Sequence, residues 1–201
     1  MLKNKIFILI LLIVSSYSCT NPEVEKSNFD FFAEQFEDIK VLRYQVPGFE
    51  ELTLKQKKLV YFLTEAGLAG RDIMYDQNYR HNLSIRRALE NIYTKYKGDK
   101  DNKNWKNFEI YLKRIWFSNG IHHHYSNDKF IPGFSDEYLQ SLLSDTETSL
   151  NSDALNIIFD DKDSKKVNRD ASKGLVIGSA VNFYGEDVTE KDVDTFYNIM
   201  K

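Results

Sequence analysis

With a single cysteine, Cys19, the chain can form no internal disulfide, so any export must be read from a leader and not from a disulfide framework. Three prolines and nine glycines are too few for a low-complexity chain, and an aromatic content of 14% is too high for a disordered tether. Basic residues are outnumbered 27 to 30 and form no basic stripe, which argues against a nucleic-acid partner. No His-Glu pair occurs, so the H-E-x-x-H pattern on which zinc hydrolases build a site is absent. The unbroken apolar run Ile6–Val14 is too short to cross ~30 Å of hydrocarbon. No internal repeat is visible.

That apolar run follows a basic start and precedes Ser16-Tyr17-Ser18-Cys19, which predicts a secretory signal over residues 1–18. The pattern looks like a bacterial lipoprotein signal, in which Cys19 becomes the lipid-modified first residue, although Ser16 and Tyr17 depart from the usual aliphatic and small residues. The expected protein is exported and anchored by lipid in the cell envelope, facing the periplasm or the cell surface. Residues 19–28 read as the linker to the anchor, and residues 29–201 as the folded part. Removal of Lys3 and Lys5 with residues 1–18 takes the formal net charge from −3 to −5.

Within the folded part, caps and helical periodicity predict an α+β protein that is mainly α. Thr53-Leu54-Lys55-Gln56 is a capping-box start, after which Leu59, Phe62, Leu63, Ala66, Gly70, Ile73 and Met74 recur on one face. Gly67 and Gly70 weaken such a helix by ~1 kcal/mol each, so close approach of a neighbouring helix is the expected reason for them. Further helices are expected from about His81 to Tyr96, from Asn104 to Phe117, from Ser135 through Leu143, and from Leu150 to Phe159. Asp160–Lys166 reads as a charged, solvated turn. Asp38–Val46 and Gly174–Tyr184 have the composition of strands. Thr189 and Asp192 form a second capping box, with Val188 and Val193 as a staple, and the apolar face of the helix that follows, Phe196, Tyr197 and Met200, still runs at Lys201. A natural C-terminal helix can end so, and so can a truncated reading frame.

The segment Asn119–Phe130, NGIHHHYSNDKF, sets three of the four histidines side by side. In an extended segment His122 and His124 would share a face and His123 would point away, while in a helix the three would fan apart by ~100° per step. Three readings stay open: a two-histidine metal site completed by a carboxylate, loop histidines bonded to backbone or water, and the lining of a substrate cleft.

The stretches LRYQVPGFEELTLKQKKLVYFLTEAGLAGRDIMYDQNY, YLKRIWFSNGIHHHYSNDKFIP and GSAVNFYGEDVTEKDVDTFY together resemble the N-terminal portion of bacterial dipeptidyl peptidase III. The resemblance covers essentially all of residues 29–201. It implies part of a lobe of helices around a small β-barrel, one side of a cleft in a zinc exopeptidase that removes dipeptides from the N-termini of short peptides. It also implies that Tyr125 contacts the N-terminal end of the peptide, with His124 and Asn119 beside it as substrate-binding residues. The family's zinc cofactor is held by H-E-x-x-G-H and E-E-x-x-A-D, and neither motif occurs in this sequence, so no catalytic residue and no metal ligand is assigned. The expected function is thus a peptidase segment without its catalytic zinc, inactive alone; the alternative is a non-catalytic envelope lipoprotein that binds a ligand or partner protein. Expected partners are short peptides once the zinc lobe is supplied, the membrane through Cys19, and a second copy through exposed lobe faces.

A lipid anchor at Cys19 makes a direct prediction. Each buried CH₂ of an acyl chain contributes ~0.8 kcal/mol, so the chain should fractionate with membranes, and Cys19→Ala should release it to the soluble fraction. A Cys19→Ala protein that stays with the membranes rejects the anchor.

Overall fold

The computed structural model describes residues 29–162, 172, 174 and 187–201. The expected signal, Cys19, the linker, most of the charged turn and the expected strand at 175–184 lie outside these residues. The order of elements is β1 (Phe32–Phe36), β2 (Ile39–Leu42), a short 3-10 turn (Phe49–Glu51), α1 (Leu54–Ala69), α2 (Arg71–Asn78), α3 (Asn82–Lys95), α4 (Lys103–Ser118), α5 (Asp136–Asp145), α6 (Ser152–Phe159) and α7 (Glu190–Met200). The protein is therefore mainly helical, with a two-stranded antiparallel sheet. No helix among the described residues is long and apolar enough to cross a membrane.

The chain divides into two compact units, one holding the described residues 29–35 and 40–46, the other 36–39 and everything described from Pro47 onward. In the first, the Arg43 N–H donates to the Phe31 carbonyl at 2.8 Å. Strand structure at 38–46 is shorter than expected and stops at Leu42, and the strand that pairs with it, Phe32–Phe36, carries too mixed a composition (FAEQF) to stand out by propensity.

The second unit is organised around α3. Ile85, Leu89 and Ile92 recur at i, i+4 and i+7 and are fully buried, and α3 packs against α2, α4, α5 and α6. From α4 come Trp105, Phe108, Leu112 and Ile115, from α5 Leu139 and Leu142, from α6 Ala154 and Ile158. Each large aliphatic side chain so buried contributes about 1.5–3 kcal/mol. Side-chain caps set the starts: Asn102 accepts from Trp105 N–H, Ser135 from Tyr138 N–H and Asn151 from Ala154 N–H.

Helix α1 departs from expectation. Its capping box forms, with the Thr53 hydroxyl accepting from Gln56 N–H and the Gln56 side chain accepting from Thr53 N–H. Yet none of its residues is buried, and the helix ends at Gly70, so Ile73 and Met74 belong to α2. Among the described residues no neighbouring helix meets the two glycines either: a Cβ on Gly67 would touch nothing within 4 Å, and one on Gly70 only carbonyls of its own preceding turn at 3.7 Å. The capping box at Thr189 and Asp192 also forms, with α7 starting at Glu190, and Phe196, Tyr197 and Met200 are exposed.

A buried amide joins α2, α3 and the segment after α4. Asn82, at the start of α3, donates through Nδ2 to the Tyr75 carbonyl at 3.2 Å and the Asn119 carbonyl at 3.4 Å, and accepts from Ile121 N–H at 3.0 Å. Asn119 caps α4 in the left-handed region, and the Gly120 backbone (φ 151°) passes so close that a Cβ there would lie 2.2 Å from Asn82 Nδ2. Leaving a buried donor or acceptor unpaired costs about 1–3 kcal/mol, so Asn82→Leu, which strands the Ile121 N–H while Tyr79 N–H and Asn78 still serve the Tyr75 and Asn119 carbonyls, should lower unfolding stability by ~1–3 kcal/mol. Denaturant titration measures it, and a loss under ~1 kcal/mol would show that the amide is dispensable.

Candidate functional site

The histidine segment is a loop locked at its base and open at its tip. Past Asn119-Gly120, Ile121 is fully buried, its carbonyl accepts from Phe130 N–H at 2.8 Å, His122 bridges antiparallel to Lys129, and His123 N–H donates to the Asp128 carbonyl at 2.8 Å. Arg71 fixes the helix end behind it, donating through Nε to Asn119 Oδ1 at 3.3 Å and through Nη2 to the Trp116 carbonyl at 3.1 Å. Asn78 Nδ2 adds a bond to the Asn119 carbonyl at 3.3 Å.

Lys129 anchors the returning strand. Its ammonium is buried and donates to the carbonyls of Ile157, at 2.6 Å, and Asp160, which lie at the C-terminal end of α6. Those carbonyls lack helical partners and carry the negative end of the helix dipole, so a cation there stabilises by up to ~2 kcal/mol when partly buried.

The three histidines do not behave as alternation predicts. His122 is 4% exposed, its ring edge-on to Tyr79 at 4.8 Å. His124 does not share its face: the His123 and His124 rings stack at 4.6 Å and 27°, and His124 lies against Phe117 at 4.9 Å and Tyr125 at 4.2 Å. Period-2 alternation needs extended backbone through all the residues in question; here the extended stretch ends at His123, where the chain turns, and the next ring folds back on the last. Tyr125 stands at the tip, 90% exposed, its N–H donating to His123 Nδ1 at 3.2 Å.

Of the substrate-binding residues expected from the resemblance, Tyr125 and His124 are thus brought together on the outer face of the loop. Asn119 stands at the loop's base, where its carbonyl and Oδ1 accept bonds from Asn78, Asn82 and Arg71. No group of three or more His, Cys, Asp or Glu side chains gathers to hold a metal ion among the described residues, and with His122 turned inward and His124 stacked on His123 the two do not converge as a two-histidine metal site would need.

Beside the loop lies a charged group that sequence reasoning missed. Arg114 Nη2 donates to Glu37 and, at 2.6 Å, to Asp38, its Nε donates to Glu37 at 2.9 Å, and its guanidinium stacks on the Phe130 ring at 5.5 Å. Two carboxylates face this one guanidinium, and the charge of His123 also acts on Asp38. Backbone N–H donation and then the Arg114 bond hold the Asp38 carboxyl below its ordinary range. Nothing in the local sequence joins residues 37–38 to 114. Asn82 did leave a signal: it is the polar member of the stripe Asn82, Ile85, Leu89, Ile92, and a polar residue on a core face needs a bonded partner.

The depressed Asp38 pKa has a testable sign. The stability it contributes is present above the unfolded carboxylate pKa of about 3.9 and disappears as pH falls through the lower folded value. Arg114→Met should raise the Asp38 titration midpoint toward the ordinary value, as followed by carboxyl-carbon NMR; an unmoved midpoint would assign the whole effect to the backbone bond.

No known protein-family model matches the chain, and no curated protein matches it.

Proposed function

We propose that the chain is an exported protein, anchored by lipid at Cys19, that binds the N-terminal end of short peptides as the peptide-recognising part of a dipeptidyl peptidase III-like lobe. Without H-E-x-x-G-H or E-E-x-x-A-D in its sequence, it contributes recognition and not the catalytic zinc. The observation that carries this reading is Tyr125: a large aromatic side chain, 90% exposed, at the tip of a loop whose base is fixed by Asn82, Arg71 and Lys129. A rigid base lowers the ordering cost of binding, and an exposed aromatic residue on such a base is a natural binding anchor. The His123–His124 stack extends the aromatic platform, and the Asp38 carboxylate beside the loop suits the α-ammonium of a peptide.

Calorimetric titration tests it, with the full chain in lipid nanodiscs, an apolar tetrapeptide bearing a free N-terminus, and the N-acetylated twin. The free peptide should bind, acetylation should weaken it, and Tyr125→Ala should weaken it by about tenfold or more, the ~1.4 kcal/mol or larger cost of losing an aromatic anchor. No saturable binding, or equal binding of both peptides, would overturn the reading.

A further inference from the structure

The stripe on α1 and the stripe on α7 have the same form. Leu59, Phe62, Leu63 and Ala66 on one helix and Val193, Phe196, Tyr197 and Met200 on the other both run i, i+3, i+4, i+7, and Phe62, Leu63, Phe196, Tyr197 and Met200 are each more than half exposed. Their flanks carry opposite charge. Lys55 and Lys58 precede the stripe on α1 and are exposed, while Glu190 and Asp194 flank that on α7 and are exposed. Side by side and parallel, the two helices set lysines against carboxylates; antiparallel, Lys201 would meet the lysines. Gly67 borders the α1 stripe with open space where a side chain would be, which lets a second helix come near.

We propose that α1 is the docking surface for α7 of a second copy of this chain, the two helices packing in parallel and the exchange being reciprocal. A reciprocal contact forms twice about a two-fold axis. An aromatic side chain covers about 150–250 Å², so burying the exposed parts of Phe62, Phe196 and Tyr197 in both copies removes roughly 700 Å². Leu59, Leu63, Ile199 and Met200 bring the total to the scale of a specific interface, about 1,200–2,000 Å². The close approach that Gly67 and Gly70 announced in the sequence is then a contact between copies.

Photo-crosslinking of the full chain in its membrane tests this. With benzoylphenylalanine in place of Phe62 and two differently tagged copies co-expressed, an adduct should form at twice the chain mass, carry both tags, and join position 62 to residues 190–200. Reversing Lys55 and Lys58 to Glu, or Glu190 and Asp194 to Lys, should each cut its yield at least tenfold, and the two reversals in one chain should restore it. These side chains are exposed and Asp194 is not the capping residue, so circular dichroism should not change. A cross-link from 62 to 190–200 at the mass of one chain would assign the contact to the chain's own helix and overturn the proposal. So would adducts only with other proteins, no adduct, or a yield indifferent to the reversals.

Discussion

The Asn82 side-chain amide is the constraint on which the loop, and with it the candidate site, depends. Its oxygen and nitrogen join three pieces of chain that sequence separates: the end of α2 at Tyr75, the cap of α4 at Asn119, and Ile121 at the start of the histidine loop. In a low-dielectric surrounding such bonds are stronger than in water, and an amide with several made bonds fixes one arrangement where apolar packing would accept several. It also dictates Gly120, since no side chain fits between that backbone and the amide. The exposed tip thus inherits its position from a buried polar group well beneath it.

What the sequence made legible is what local physics controls. The core faces of α3 and α4 and the capping residues Thr53, Ser135 and Thr189 were readable because periodicity and capping are properties of a few consecutive residues. Helix α1 marks the limit. Its signals specified a helix correctly, yet whether its apolar side chains are covered depends on a partner surface that no local pattern encodes. The histidine loop marks another. His122 turns inward because Tyr79 and Lys129 stand there, and the Arg114 cluster exists because a turn dozens of residues earlier supplies Glu37 and Asp38. Neither is visible without the tertiary contacts. Tyr125 and His124 were named from resemblance, and their placement side by side is a property of the fold alone.

The molecule separates its tasks by region. The α3-centred cluster carries the packing, with aromatic side chains stacked at Tyr96, Trp105 and Phe108 giving it rigidity. Around it, Asp72 holds Arg86 and Arg87 at 2.7 Å each; the Arg87 pair is exposed and contributes little, while Arg86 is half-buried over the Tyr75 ring. The apolar side chains outside this cluster, on α1 and α7, contribute little to the packing of a single chain and leave surface for another.

The Lys129 ammonium has a consequence in time. It closes the loop onto carbonyls 28 and 31 residues further along the chain, at the end of α6. Such a contact cannot form until that helix exists, because the carbonyls it binds converge only when α6 has wound. A chain that emerges from its N-terminus therefore completes α3 and α4 first and carries an unlatched histidine loop until residues 152–160 have arrived. During that interval the loop's aromatic and imidazole rings are open to any passing apolar surface, and the last turn of a short helix decides when the interval ends.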